Sequence, residues 1–127
     1  MKPSETVILT EYVKACCPQQ AFGEYTPDAW HDILGDLRLE DCRAAVVAIK
    51  QHSVFVDPAE IRAEVQQARL DRIRDAGIPA PPPELIDDPP AYRAAQRAAA
   101  VAIGDGRDPE KAMQAIARQA RRELESS

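Results

Sequence analysis

The side chains best equipped for chemistry in this sequence are three cysteines, Cys16, Cys17 and Cys42, and two histidines, His31 and His52. A zinc site would need four ligands converging on one ion, and two adjacent cysteines cannot readily chelate the same ion. Neither histidine stands in a ligand spacing. Cys16 is expected in the core, and Cys17 at a helix end. The run "GDGRD" at 104–108 suggests a calcium loop but lacks the spaced carboxylates and closing glutamate of an EF-hand, so it is expected to be a turn. The five glycines, at 23, 35, 77, 104 and 106, make no phosphate-cradling loop, and there is no G-x-x-x-x-G-K-[ST] motif. Any work on nucleic-acid machinery would then run on binding energy or on a partner's ATP. Asp28, Asp32 and Asp36, four apart, are expected to be the wet face of a helix. "RQARRE" at 118–123 could touch phosphates, but cations near a helix C-terminus also complement its dipole, and Glu123 and Glu125 interleave. The expectation is a protein with no catalytic residue, no metal and no cofactor, and hence no enzyme.

Composition narrows the fold. Apolar residues make up 45% of the chain but aromatic ones only 5%, and alanine supplies much of the difference. No strand-length run alternates Val or Ile with polar residues, whereas Ala, Leu, Glu, Arg and Gln abound, so the fold class is read as all-α. The net charge of −5 argues against a protein whose main task is coating nucleic acid. No run of eighteen apolar residues spans a membrane. The opening "MKPSETVILT" is too short in apolar residues for a signal peptide, and the odd cysteine count fits a reducing compartment, so a cytoplasmic location is expected.

Four helices are expected in the first 77 residues. The first starts after Ser4 as N-cap and runs to about Cys16, carrying Ile8, Tyr12 and Ala15 on one face with Leu9, Val13 and Cys16 beside them, before Pro18 stops it. Phe22 and Tyr25 are expected to plug the core from the following loop. The second has Thr26 as N-cap and Pro27 at its first position. Its stripe, Trp30, Ile33, Leu34 and Leu37, follows spacings of three, four and seven. The third covers Leu39 to Gln51 with Cys42, Ala45, Val46 and Ile49 inward. "SVFV" is a short connector. The fourth opens on Asp57, Pro58 and Glu60, a capping-box pattern, buries Ile61, Val65, Ala68 and Ile73, and ends at Gly77.

Residues 78–90, "IPAPPPELIDDPP", hold six prolines in thirteen, which favours polyproline II over helix or sheet. At about 3.1 Å per residue this linker would span on the order of 40 Å. Beyond it lie two alanine-rich helices. One starts near Asp88 or Pro89 and ends at Gly104; the other opens on Pro109 with the stripe Met113, Ile116, Ala117, Ala120 and Leu124. The organisation expected is therefore a helical domain over 1–77, a linker over 78–90 and a helical segment over 91–127. Two such helices bury little surface alone, so they either dock on the first domain or fold on a partner.

The order of "ETVILTEYVKACCP", "YTPDAWHDILGDL", "RLEDCRAAVVAIKQHSVFVDP" and "AEIRAEV" resembles the phage proteins that load and inhibit the DnaB-type replicative helicase. The resemblance covers about residues 5–66, half the chain, and rests on Trp30, Leu34, Leu37, Glu40 to Val46, Phe55, Pro58 and Ile61. Most of these positions would be core in many small helical bundles, and it is their order and spacing that carry the match. Members of that family are implied to bind the hexameric helicase, restrain it, and pass it to an origin through an origin-binding initiator protein. Their C-terminal part is typically flexible and helps contact the helicase, whereas this chain has a proline linker and two helices there. The stripe of the last helix and its poor self-sufficiency make Met113, Ile116, Ala120, Arg121, Arg122 and Leu124 the expected partner-binding residues, tethered so that the second contact gains effective concentration. The alternative is a small DNA-binding regulator presenting Arg43, Lys50, Arg62 and Arg69. Residues 1–76 carry nine Lys and Arg against thirteen Asp and Glu, a net of −4, which opposes that reading and leaves direct DNA contact weak or absent.

Overall fold

A computed structural model describes residues 1–126. They form six α-helices, α1 (Pro3–Cys16), α2 (Thr26–Leu34), α3 (Leu39–Lys50), α4 (Pro58–Ala76), α5 (Pro89–Gly104) and α6 (Pro109–Ser126), and no strand. The fold is all-α. The chain divides into two compact units, Met1–Gln67 and Ala68–Ser127, with the division inside α4.

In the first unit α1 starts earlier than the Ser4 cap would place it. Lys2 is the N-cap and Pro3 the first helical residue, because the Glu5 carboxylate reaches back to accept the Lys2 N–H at 2.8 Å. The buried face is also rotated from the expected one. Thr6, Leu9, Thr10 and Val13 are buried, while Ile8 and Ala15 face solvent. The two threonines can be buried because both hydroxyls are bonded, Thr6 Oγ1 to His31 Nδ1 at 2.7 Å and Thr10 Oγ1 to the Val7 carbonyl at 2.9 Å. Their burial breaks the apolar periodicity that sequence reading depends on.

Helix α2 begins at Thr26 itself, with Tyr25 at the cap position. The Thr26 hydroxyl is committed to accepting the Gly23 N–H at 2.8 Å in the preceding loop, so it does not cap. Trp30 and Leu34 are buried, whereas Ile33 is exposed and Leu37 is half-buried beyond the helix end. Phe22 packs on Trp30 with ring centroids 5.7 Å apart. Tyr25, expected as a second plug, is exposed instead. From α3, Cys42, Ala45, Val46 and Ile49 enter the same core, and α4 adds Ile61 and Val65. Cys17 is the C-cap of α1, donating its N–H to the Val13 carbonyl, and is itself buried in the core, against which the half-buried Cys16 packs. The connector to α4 is held at Val56, whose N–H and carbonyl both bond the Gln20 side chain, at 2.8 and 2.7 Å. Val56 is buried while its neighbours Val54 and Phe55 are exposed. Asp57 Oδ1 then accepts the Ala59 N–H at 2.6 Å to cap α4.

In the second unit the proline segment is only partly polyproline. Pro82 has φ −59° and ψ 145°, but Pro83–Leu85 form one 3-10 turn and α5 already begins at Pro89. Proline tolerates the first position of a helix, and the turn buries Leu85. The second unit buries only three large apolar side chains, Leu85, Ile103 and Met113, among Ala95, Ala99, Ala112 and Ala117. Asp88 and Asp108 cap α5 and α6 by accepting the Ala91 and Lys111 N–H groups. At the C-terminus of α5 the carbonyls of Val101 and Gly104 accept from Arg69 and Arg72, and Arg69 also pairs with Asp105. A Cβ at Gly104 would lie 3.1 Å from the Arg69 guanidinium, which would have to give by a few tenths of an ångström to admit one. Gly77, with φ 73°, ends α4 in the left-handed region as a helix stop should.

Trp30→Ala is expected to destabilise the first unit by roughly 3–5 kcal/mol, because it removes a buried ring and the partner of Phe22. Urea unfolding followed by circular dichroism checks this, and a loss below about 1 kcal/mol would mean that Trp30 is not a core anchor.

Candidate functional site: the groove between α5 and α6

The alanines of α5 at 91, 94, 95 and 98 follow helical spacing, so they share one face and leave a shallow wall. Helix α6 packs alongside and contributes Ile116, Gln119, Ala120 and Glu123 as the second wall, with Leu85 closing one end. The result is an open groove of about 250 Å³, apolar along its floor and polar at Gln119 and Glu123. Arg121 Nη2 lies 3.4 Å from Glu84.

The six residues expected to bind a partner separate in the structure. Ile116 and Ala120 line the groove together. Met113 lies one turn earlier, is buried and does not line the groove. Leu124 is 55% exposed one turn beyond Ala120, and Arg122 is also exposed. Arg121 turns toward the 3-10 turn. What sequence reading missed is the α5 wall. Its signal was available in the alanine spacing, but alanines are also what an ordinary helix former supplies. Leu85 was hidden by the prolines around it.

The other chemistry-bearing residues are committed elsewhere. Cys16, Cys17 and Cys42 are free thiols. Burial, reinforced by the Asp41 carboxylate, pushes the Cys42 thiol up to about 11, which suppresses the nucleophilic thiolate. Among the described residues, no three His, Cys, Asp or Glu side chains come together as a metal-binding group. In "GDGRD", Asp105 pairs with Arg69, Asp108 caps α6, and Gly106 adopts φ 89°, as a turn between helices requires. The cations considered for DNA are engaged as well. Arg43 stacks 4.7 Å above the Tyr12 ring, Lys50 donates to the Val54 carbonyl, Arg62 holds Asp36, and Arg69 holds Asp105. No helix among the described residues is long and apolar enough to cross a membrane.

Asp36 is more than a solvating carboxylate. Arg62 grips it with two parallel bonds of 2.7 and 2.8 Å and donates a third, 2.9 Å, to the Ile33 carbonyl. This fork ties α4 to the end of α2. The hydrogen bonds from Arg62 hold the Asp36 carboxyl down at about 2.

The structure is that of an all-α chain of two helical units. No protein-family model, curated protein or solved structure matches it.

Because the Asp36 carboxyl titrates lower when folded than the roughly 3.9 of a free aspartate, its stabilisation is fully present above that value and is lost as pH falls toward about 2. The pair is solvent-screened, so a contribution of about 0.2–1 kcal/mol is expected. Chemical unfolding between pH 5 and 2 should therefore show wild type losing its advantage over Asp36→Asn. A difference between the two that does not change with pH would contradict this role.

Proposed function

We propose that this chain is a non-enzymatic adaptor in phage or prophage DNA replication that binds the replicative DNA helicase and loads or inhibits it. The partner's identity rests on the resemblance over residues 5–66, and an origin-binding initiator is the second partner that resemblance implies. The observation that carries the adaptor reading is the groove between α5 and α6. The chain there presents a helical, apolar, polar-rimmed surface of the kind that receives a partner helix. The DNA-binding alternative is disfavoured by Arg43, Lys50, Arg62 and Arg69, each of which already has a partner within the chain.

An adaptor of this kind contributes no chemical step. Its effect on a helicase follows from binding one state of the hexamer better than another, so the differential affinity sets how far that equilibrium moves. Exposed Leu124 and Arg122 would then extend the groove contact along α6.

The test is mixing the chain with the replicative helicase, with and without nucleotide, and measuring the complex by size-exclusion chromatography with light scattering. A complex is expected, and Ile116→Asp should weaken it at least tenfold. Because Ile116 is half-buried, Leu124→Asp serves as an exposed companion and should weaken binding while leaving the helical circular dichroism unchanged. Absence of a complex in every nucleotide state, or full binding by both variants, would overturn the reading.

A further inference from the structure

The first unit carries a second groove that the adaptor reading does not use. It runs along α1 and α2 as two adjoining hollows of about 450 and 180 Å³ that share Pro27. Its apolar surface comes from Pro3 and Val7 on one side and Phe22 and Pro27 on the other. Its charged lining is Glu11, Glu24, Asp28 and Asp32 against a single cation, Lys14.

These four carboxylates differ from the other acidic groups around them. Asp36 is held by Arg62, Asp41 and Glu40 by Arg38, and Glu5 by the Lys2 N–H. Among the described residues, Glu11, Glu24, Asp28 and Asp32 have no such partner. Asp28 and Asp32 stand four apart on one face of α2, about 6 Å from each other. That is also the spacing of two cations at i and i+4 on a facing helix. Residues 1–67 carry six Lys and Arg against eleven Asp and Glu, so the whole unit, at −5, favours a cationic visitor.

We propose that the α1–α2 groove is a docking site for a cationic amphipathic helix of a protein partner. The partner's apolar stripe would lie on Val7, Pro27 and Phe22, while lysines or arginines flanking the stripe would meet Asp28 and Asp32 on one side and Glu11 on the other. The apolar contact provides affinity, and the carboxylates set orientation and speed encounter. Such a contact is independent of the groove in the second unit, so a partner could be held at each.

The probe is an eighteen-residue leucine–lysine amphipathic helix, fluorescently labelled, added to the full chain and followed by anisotropy. Wild type should bind it, with affinity falling as salt rises, and should not bind the leucine–glutamate counterpart. Asp28→Asn/Asp32→Asn should raise Kd at least tenfold, and Val7→Ser several-fold, with melting unchanged. Glu60→Gln/Glu64→Gln removes the same charge from α4, outside the groove, and should leave Kd within twofold. If that control weakens binding as much as the groove variant does, the attraction is net charge alone and the proposal fails. It fails equally if the lysine peptide does not bind, or if both peptides bind alike.

Discussion

The contact on which the first unit depends is the cluster where Leu9 and Val13 of α1 meet Trp30 and Leu34 of α2. Helix α2 has only nine residues, fewer than the dozen or so at which an isolated helix becomes even marginal in water. It exists because Trp30 and Leu34 are buried. The placement of Asp28 and Asp32 along the α1–α2 groove, and of the Ile33 carbonyl and Asp36 for Arg62, follows from that burial. With aromatic residues at 5% of the chain, no second tryptophan could take over.

The second unit is built under the opposite constraint. Alanines let α5 and α6 approach closely, but they bury little area per residue, and burial of area is what stabilises. Of its large apolar side chains, Leu85, Ile103 and Met113 are buried, Ile73 and Ile116 half-buried, and Leu70, Ile78, Ile86, Val101 and Leu124 exposed. A unit that leaves more large apolar groups in water than it buries has surface available for a partner. The α5–α6 groove is the concave part of that surface.

The all-α class, the stripe of α3, the Asp57 cap and the turn at "GDGRD" were legible because each follows from spacing or cap chemistry local in sequence, whereas of the α4 stripe only Ile61 and Val65 are buried and Ala68 and Ile73 are half-buried. The misread features are those decided by which specific partner a polar side chain finds, near or far in sequence. Thr6 can be buried because its hydroxyl bonds the His31 ring 25 residues away, and Thr26 fails to cap because its hydroxyl accepts the Gly23 N–H. Gln20 clamps Val56 from 36 residues away, which no local pattern signals. The α5–α6 groove was half legible. Ile116 and Ala120 stood out as a stripe, whereas the facing alanines carried no distinguishing signal and Leu85 lay in a segment read as extended.

Whether the second unit is where this chain meets the replicative helicase, as proposed, can be read by hydrogen–deuterium exchange on the full chain with and without the helicase hexamer. Slower exchange across residues 113–124 of α6 and 91–98 of α5 is expected when the helicase is present. Unchanged exchange there, with new protection confined to α3 and the start of α4, would contradict it.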